Sequence, residues 1–405
     1  MADAPVVLLE GPRAVGKSTL LNQVAAAQSG RVVDLDEPAT RDAVVADPAL
    51  AVSGEGPVCL DEYQKAPEVL EAIKAELNKH TAPGRFVLTG STRHDSLPVT
   101  AQSLTGRVTS LTVFPLSQGE QCGVHEDFLE VAINDPSKVI TRHQATTTRP
   151  DYIARVTCGG FPLALAASSG DARRRWIRDY VRLTLERDVR DLSNLRQGDK
   201  LRTLLDRLAG QTAQVLNVAK AAEDVGLTDK TAESYVNLLE KVFLVYRLEA
   251  WGTTLIARTL SKPKVHVLDT AVAAVLMRLT PEKLTTIDAT ASKKFGHLVE
   301  TFAVGELRKQ ASWIEGITGI GHWRHHDGDE VDLIIEREDG GILGFEMKAG
   351  GRVSGPELKG LAHLRDSVGD RFLGGFVLYL GKRSYTYSDR IHVAPLDRLW
   401  TPIGD

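Results

Sequence analysis

The stretch LLEGPRAVGKSTLL, Leu8 to Leu21, decides how the first third of this 405-residue chain folds. The run VVLLEG (Val6 to Gly11) is short, apolar and made of strand formers, the pattern of a parallel strand buried on both faces. Gly11-Pro12-Arg13-Ala14-Val15-Gly16-Lys17-Ser18 then fits G-x-x-x-x-G-K-[ST] throughout, and Thr19 leads into the helical pattern STLLNQVAAA. The chemistry requires this layout. Glycines let backbone N–H groups wrap phosphates, Lys17 reaches the terminal phosphates, and Ser18 ligates Mg²⁺. The strand–loop–helix therefore predicts ATP with Mg²⁺ on Gly11–Thr19.

Such a loop needs a second carboxylate at the end of a neighbouring strand, and GPVCLDEYQKAP supplies it. Val58, Cys59 and Leu60 read as the strand; Asp61 at its end would hold the Mg²⁺ shell and Glu62 would polarise the attacking water. The bland reading of the pair is a helix cap. A third strand, RFVLTGSTR, ends in Thr89, Gly90 and Ser91, with Ser91 expected to sense the γ-phosphate. In SLTGRVTSLTVFPLS, Arg107 stands just before another strand pattern, either as a finger for a neighbouring subunit's nucleotide or as a solvated charge.

These motifs, GPRAVGKST, CLDEYQKAP, LTGSTR and SLTGRV, resemble those of prokaryotic ATPases in which an AAA-type core is joined to a C-terminal domain of undefined function. The resemblance continues through GGFP (Gly159 to Pro162), LERDVRDL (Leu185 to Leu192), GLTDKTAESYVNLLEKVFLVYRL and KPKVHVLDTAV, over roughly residues 4 to 350. It implies a nucleotide-driven homo-oligomer, a ring being one form. Ser91 departs from the asparagine many AAA proteins carry there.

Composition sets the outer limits. A formal charge of -4 and a pI near 6.3 exclude a highly basic nucleic-acid coat. The widely spaced Cys59, Cys122 and Cys158 make neither a zinc pattern nor a disulfide framework, which favours a reducing compartment. No run approaches the roughly 18 apolar residues of a membrane span, so a cytoplasmic chain without a membrane partner is expected.

The expected division is an AAA-type domain over 1–145, a helical and winged-helix-like module over 146–285, and an α/β domain over 286–405. Residues 171–191 read as a charged surface helix with a stripe of Trp176, Tyr180 and Leu183. Val218 to Leu248 reads as helix–turn–helix followed by strand, with Thr228 as N-cap and mixed charge on the second helix, so that DNA binding and a packing role both remain open. Asp269 reads as a helix cap.

Near the other end stands EVDLIIEREDGGILGFEMKAG, Glu330 to Gly350. Both halves alternate like strands, and a three-residue loop Asp339-Gly340-Gly341 aligns the apolar faces. That register pairs Asp332 with Lys348, Leu333 with Met347 and Ile335 with Phe345, and it gathers Asp332, Glu346 and Lys348 on one side. Upstream, FGHLVETFAVGELRKQ is an amphipathic helix burying Leu298, Phe302 and Leu307, with Glu300 in its body, where a carboxylate is ordinarily solvated.

Two carboxylates and a lysine on one sheet face suit metal-assisted phosphodiester hydrolysis. The arrangement resembles the PD-(D/E)xK nuclease superfamily, whose helix carboxylate, strand acid and E-x-K pair match Glu300, Asp332, and Glu346 with Lys348. The resemblance implies Mg²⁺ or Mn²⁺ on Glu300, Asp332 and Glu346, Lys348 at the reacting water, and DNA as partner. The sequence thus predicts an ATPase coupled to a nuclease-like domain acting on DNA. Its competitor is an ATP-driven regulatory or assembly switch whose nuclease-like domain binds nucleic acid or protein without cutting.

Overall fold

In the computed structural model, the described residues are 4–54, 56–93, 104–142, 144–189, 198–252, 262–286 and 288–403. The chain divides into two compact units, one of Met1–Pro115 with Arg187–Asn194 and Lys241–Phe243, the other of Leu116–Glu186, Leu195–Glu240 and Leu244–Asp405.

In the first unit the apolar runs become five strands: β1 (Val6–Glu10), β2 (Arg31–Asp34), β3 (Val58–Asp61), β4 (Phe86–Gly90) and β5 (Val108–Thr112). All are parallel, in the order β2-β3-β4-β1-β5. Alternation sends Val6, Leu8, Val58, Leu60, Phe86 and Leu88 into one core with Leu70, Ile73 and Leu77 of helix Val69–Lys79. Val7, Leu9, Cys59 and Val87 enter the other with Leu21 and Ala25 of helix Lys17–Ala27. A parallel sheet covered on both faces explains why these strands read as continuous apolar runs. Parallel strands also bring their carboxyl ends to one edge, so the turns after β1, β3 and β4 lie side by side.

The second unit includes residues 116–145, grouped by sequence with the first domain. Phe128 packs here, its ring 6.4 Å from Phe345 and 5.6 Å from Phe376. Three short strands, β6 (Gln214–Val215), β7 (Val245–Leu248) and β8 (Lys264–Val267), form an antiparallel sheet ordered β6-β8-β7. Helices Val218–Val225 and Asp229–Lys241 precede β7, and Thr228 Oγ1 accepts from Thr231 N at 3.2 Å as the expected cap. Asp269 caps its helix through Ala271 N at 2.9 Å and also accepts from Gly160 N at 2.8 Å, which ties the GGFP segment to the LDTAV segment.

The charged helix differs in its buried stripe. It spans Gly170–Leu183, and Ile177, Tyr180 and Val181 are its buried residues, while Leu183 is exposed. A π-helical stretch, Thr184–Asp188, follows Leu183 directly.

The last sheet has six strands, β9 (Ile317–Arg324), β10 (Glu330–Arg337), β11 (Ile342–Lys348), β12 (Phe372–Tyr379), β13 (Tyr385–Ser388) and β14 (Ile391–Pro395), in the order β13-β14-β12-β11-β10-β9. It is mixed: β9, β10 and β11 run antiparallel, while β11, β12 and β14 are parallel neighbours. Helix Lys359–Val368 makes the crossover from β11 to β12, and Leu361 and Leu364 bury against Ile334, Ile342 and Val377. Leu298, Phe302 and Leu307 of helix Ala289–Ala311 are buried as expected.

The β10–β11 register corrects the sequence reading by two residues. Leu333 pairs with Phe345 and Ile335 with Leu343. The turn is Glu338-Asp339-Gly340, because Gly340 takes the left-handed conformation (φ +80°) and Arg337 N donates to Gly341 O at 2.8 Å. A shift of two keeps every residue of β11 on its face, but extending the register puts Asp332 across from Glu346 rather than Lys348. Between Val331 and Ile334 the pairing with β9 slips by one residue, a bulge that contains Asp332.

Candidate functional site

The phosphate loop leaves β1 under a tight constraint. A Cβ on Gly11 would lie 2.2 Å from the Val113 carbonyl oxygen, so only glycine lets the chain turn there. Lys17 is buried, and its Nζ donates to Gly11 O at 2.9 Å and Pro12 O at 2.8 Å. Burial pushes its pKa down to about 8, against the pull of Glu62. A phosphate beside Nζ restores the ammonium, so nucleotide binding takes up a proton above pH 8 and affinity declines as pH rises past that value. Calorimetry at pH 8.5 in buffers of different ionisation enthalpy will show uptake approaching one proton per ATP; zero uptake would refute this linkage.

Asp61 and Glu62 lie at the carboxyl end of β3, both buried. Thr89 Oγ1, at the end of the intervening strand β4, donates to Asp61 Oδ1 and accepts from Glu62 N at 2.9 Å. Ser91 Oγ donates to Glu62 Oε2 at 3.1 Å and accepts from Gln64 Nε2 at 3.1 Å; Gln64 also donates to that carboxylate. Glu62 adopts a left-handed backbone (φ +54°), which costs a side-chain-bearing residue of order 1 kcal/mol. Two hydroxyls and an amide thus hold the acidic pair. Exposed Ser18 and the Asp61 carboxylate are hard oxygen donors of the kind Mg²⁺ takes, so this set fits the ion.

Arg13, inside the loop, donates from Nε to both carboxylate oxygens of Asp188 at 2.8 and 2.9 Å. Asp188 is buried, which gives the LERDVRDL motif a contact with the phosphate loop. Arg107 sits elsewhere. Val6 pairs with Val108 and Glu10 with Thr112, so Arg107 precedes β5 at the edge of the sheet opposite Gly11. Six strand rises separate the two levels, roughly 20 Å. Arg107 therefore stays away from its own loop, and a catalytic role requires a second copy of the chain.

The second site lies in the second unit. Lys264, at the start of β8 and 2% exposed, donates from Nζ to Glu300 Oε1 at 2.7 Å and to Asp332 Oδ1 at 2.8 Å. Asp332 Oδ2 accepts from Met347 N at 3.0 Å, and Glu346 Oε1 accepts from Lys348 Nζ at 2.7 Å. Glu346 Oε2 is buried without a hydrogen-bond partner among the described residues. Glu300, which sequence placed on a solvated helix body, is thus largely buried and ion-paired.

Burial opposes ionisation of Asp332, but Lys264 and the Met347 amide outweigh it and hold the pKa below the usual carboxylate range. Burial, followed by the Asp332 charge, raises Glu346 to about 8 and lifts Glu300 well above its ordinary value. The cluster holds fixed opposite charges on Lys264 and Asp332 beside two carboxyls biased toward neutrality.

Residues 3–122 match the family described as "AAA domain", 149–283 a domain of unknown function (DUF8612), and 295–399 another (DUF4143). Residues 3–122 are thus similar to AAA-type P-loop domains. Uncharacterized proteins of Mycobacterium tuberculosis and Mycobacterium bovis are each 27% identical over 98% of this chain and 81% of their own length.

Among solved structures, a RuvB variant from Thermotoga maritima shares 19% identity over 60% of this chain and 81% of its own, with a TM-score of 0.26. Can2 from Sulfobacillus thermosulfidooxidans, solved with cyclic tetra-adenylate, shares 10% identity over 99% of this chain and all (100%) of its own, with a TM-score of 0.19. Both overlaps are too slight to bear on the fold, which rests on the sheet order. No helix among the described residues is long and apolar enough to cross a membrane.

Thr89 as a bridge, Gln64 and Lys264 escaped the sequence reading, and Asp188 stood in the LERDVRDL motif without a role. Thr89 and Gln64 lie beside motif residues and carry donors suited to carboxylates. The partners of Asp188 and Lys264 are 175, 36 and 68 positions away, a separation no local pattern encodes.

Proposed function

We propose that this chain is an ATP-hydrolysing switch of the AAA type whose nuclease-like C-terminal domain grips nucleic acid without cutting it. The observation that carries the first half is that Asp61 and Glu62, held by Thr89 and Ser91, stand on the strand edge that bears the Gly11–Thr19 loop with its buried Lys17. Mg²⁺, shared between Ser18 and the Asp61 shell, supplies charge neutralisation on the phosphates when bound. Lys17 places its ammonium at the terminal phosphates. Glu62, held by Gln64 and Ser91, orients the water, and Ser91 is the residue through which γ-phosphate loss reaches Glu62. Arg107 completes the site of a neighbouring copy, which makes the active form a homo-oligomer. ATP turnover per chain then rises with protein concentration and becomes concentration-independent, at a lower level, in Arg107→Ala. Turnover per chain that is flat in the wild type would remove Arg107 from the site.

For gripping, a cavity of about 460 Å³ opens beside the Glu346–Lys348 pair, lined by Arg149, Lys348, Thr285, Thr286, Ser292 and Glu357, two cations and three hydroxyls against one carboxylate, a balance suited to a phosphate backbone. On the second helix of the 218–248 module, Arg247 neutralises Glu233 at 2.6 Å and Glu240 at 3.1 Å, which suits packing better than a basic recognition face. The second reading, a Mg²⁺- or Mn²⁺-dependent nuclease, is favoured by the meeting of Glu300, Asp332, Glu346 and Lys348. It requires a divalent ion where Lys264 already joins two of the three carboxylates, and the residues as placed do not fit one.

The two readings separate on linear and circular DNA with Mg²⁺ or Mn²⁺. The gripping reading predicts retention of DNA on the protein and no cleavage, with ATP turnover intact. Cleavage that Lys348→Ala abolishes would overturn it and establish the nuclease.

A further inference from the structure

A buried ammonium between two carboxylates is costly unless it replaces something the site otherwise needs. Lys264 fills that position with 3% of its side chain exposed, and Glu300 and Asp332 are its two partners at 2.7 and 2.8 Å. The remaining donors are committed: Met347 N holds the other Asp332 oxygen, and Lys348 holds Glu346 Oε1. Among the carboxylate oxygens of this cluster in the described residues, Glu346 Oε2 is buried without a hydrogen-bond partner. His266 and His322, also buried near Lys264, are held below their ordinary pKa by burial and then by the Lys264 charge, so both stay neutral and add no second cation.

Divalent ions need more than this arrangement offers. Mg²⁺ binds carboxylate oxygens at about 2.1 Å in near-octahedral geometry. To accept it in place of Nζ, each oxygen would have to move inward by about 0.6 Å and the ammonium would have to leave. Lys264 is the first residue of β8, and its backbone pairs with Val215 of β6 and Leu248 of β7, so both neighbouring strands hold its side chain at the carboxylates.

We infer that Lys264 is the resident cation of this site, balancing the Asp332 charge and bonding Glu300 in place of a divalent metal and excluding that metal from the wild-type protein. The inference deepens the gripping reading and rests on it for the nuclease-like character of the domain. It makes the Lys264–Glu300–Asp332 triad a structural core, and it leaves Lys348 and Arg149 as the groups that meet phosphate.

The test is Mn²⁺ binding to the nucleotide-free full-length chain, followed by calorimetry and by the electron paramagnetic resonance of free Mn²⁺. Wild type and Glu346→Gln are expected to give superimposable isotherms. Lys264→Met gains one Mn²⁺ per chain, at least tenfold tighter than any wild-type binding, and Lys264→Met/Asp332→Asn loses it again. A wild-type Mn²⁺ site that Glu346→Gln removes would overturn the inference, as would a folded Lys264→Met that gains none. If Lys264→Met does not fold, the comparison of wild type with Glu346→Gln still decides. A wild-type metal site without DNA cleavage contradicts the resident cation and spares the gripping reading; DNA cleavage contradicts the gripping reading itself.

Discussion

Replacing Lys17 with alanine abolishes ATP turnover, a loss on the order of 10²–10³-fold, the scale expected when a buried charge aimed at the reacting phosphates is deleted. The fold survives the change. Lys17 is a desolvated ammonium bonded, among the described residues, to the Gly11 and Pro12 carbonyls, and its pKa is lowered because burial works against it. Thermal unfolding of Lys17→Ala therefore stays at or above the wild-type temperature while turnover disappears. Turnover within a few-fold of wild type would remove the phosphate-loop assignment.

The second large effect is on stability. Lys264→Met leaves Glu300 and Asp332 buried without their shared cation, and breaking such an arrangement from one side costs about 3–5 kcal/mol. Glu300 and Asp332 then escape the penalty only by taking up protons. Asp332 then joins Glu300, already raised in the wild type, in having a folded-state pKa above its unfolded one, so the folded form binds more protons and the variant loses stability as pH rises. The drop in Tm relative to wild type is accordingly larger at pH 8 than at pH 5. Converting the partners as well, in Lys264→Met/Glu300→Gln/Asp332→Asn, recovers most of the loss because no uncompensated charge remains. Equal Tm values for wild type and Lys264→Met at pH 8 would show that the triad contributes nothing.

The legible parts of this molecule are local ones. The loop from Gly11 to Thr19, the acid strand ending in Asp61 and Glu62, and the caps Thr228 and Asp269 all depend on neighbours within a few positions, where residue type and spacing carry the physics. The hairpin was legible in part. Alternation selected the right parity, so Glu346 and Lys348 share a face, but which glycine takes the left-handed conformation set the register, and both Gly340 and Gly341 were candidates. The bulge holding Asp332 arises from pairing with β9, which the hairpin pattern does not contain. In the charged helix the buried stripe keeps Tyr180 but takes Ile177 and Val181 in place of Trp176 and Leu183. Lys264 lay beyond reach because a lysine at a strand start is ordinarily solvated, and only the tertiary fold brings Glu300 and Asp332 to it.

The central claim, ATP hydrolysis at the first site with Glu62 orienting the water, is tested most directly by ATP turnover of Glu62→Gln at saturating, measured nucleotide occupancy. The carboxamide keeps an acceptor for Ser91 and Gln64 but lacks the charge that orients and polarises the water. ATP affinity within a few-fold of wild type, with turnover lowered by about 10²-fold, is the predicted result. Turnover equal to wild type at equal occupancy would contradict it.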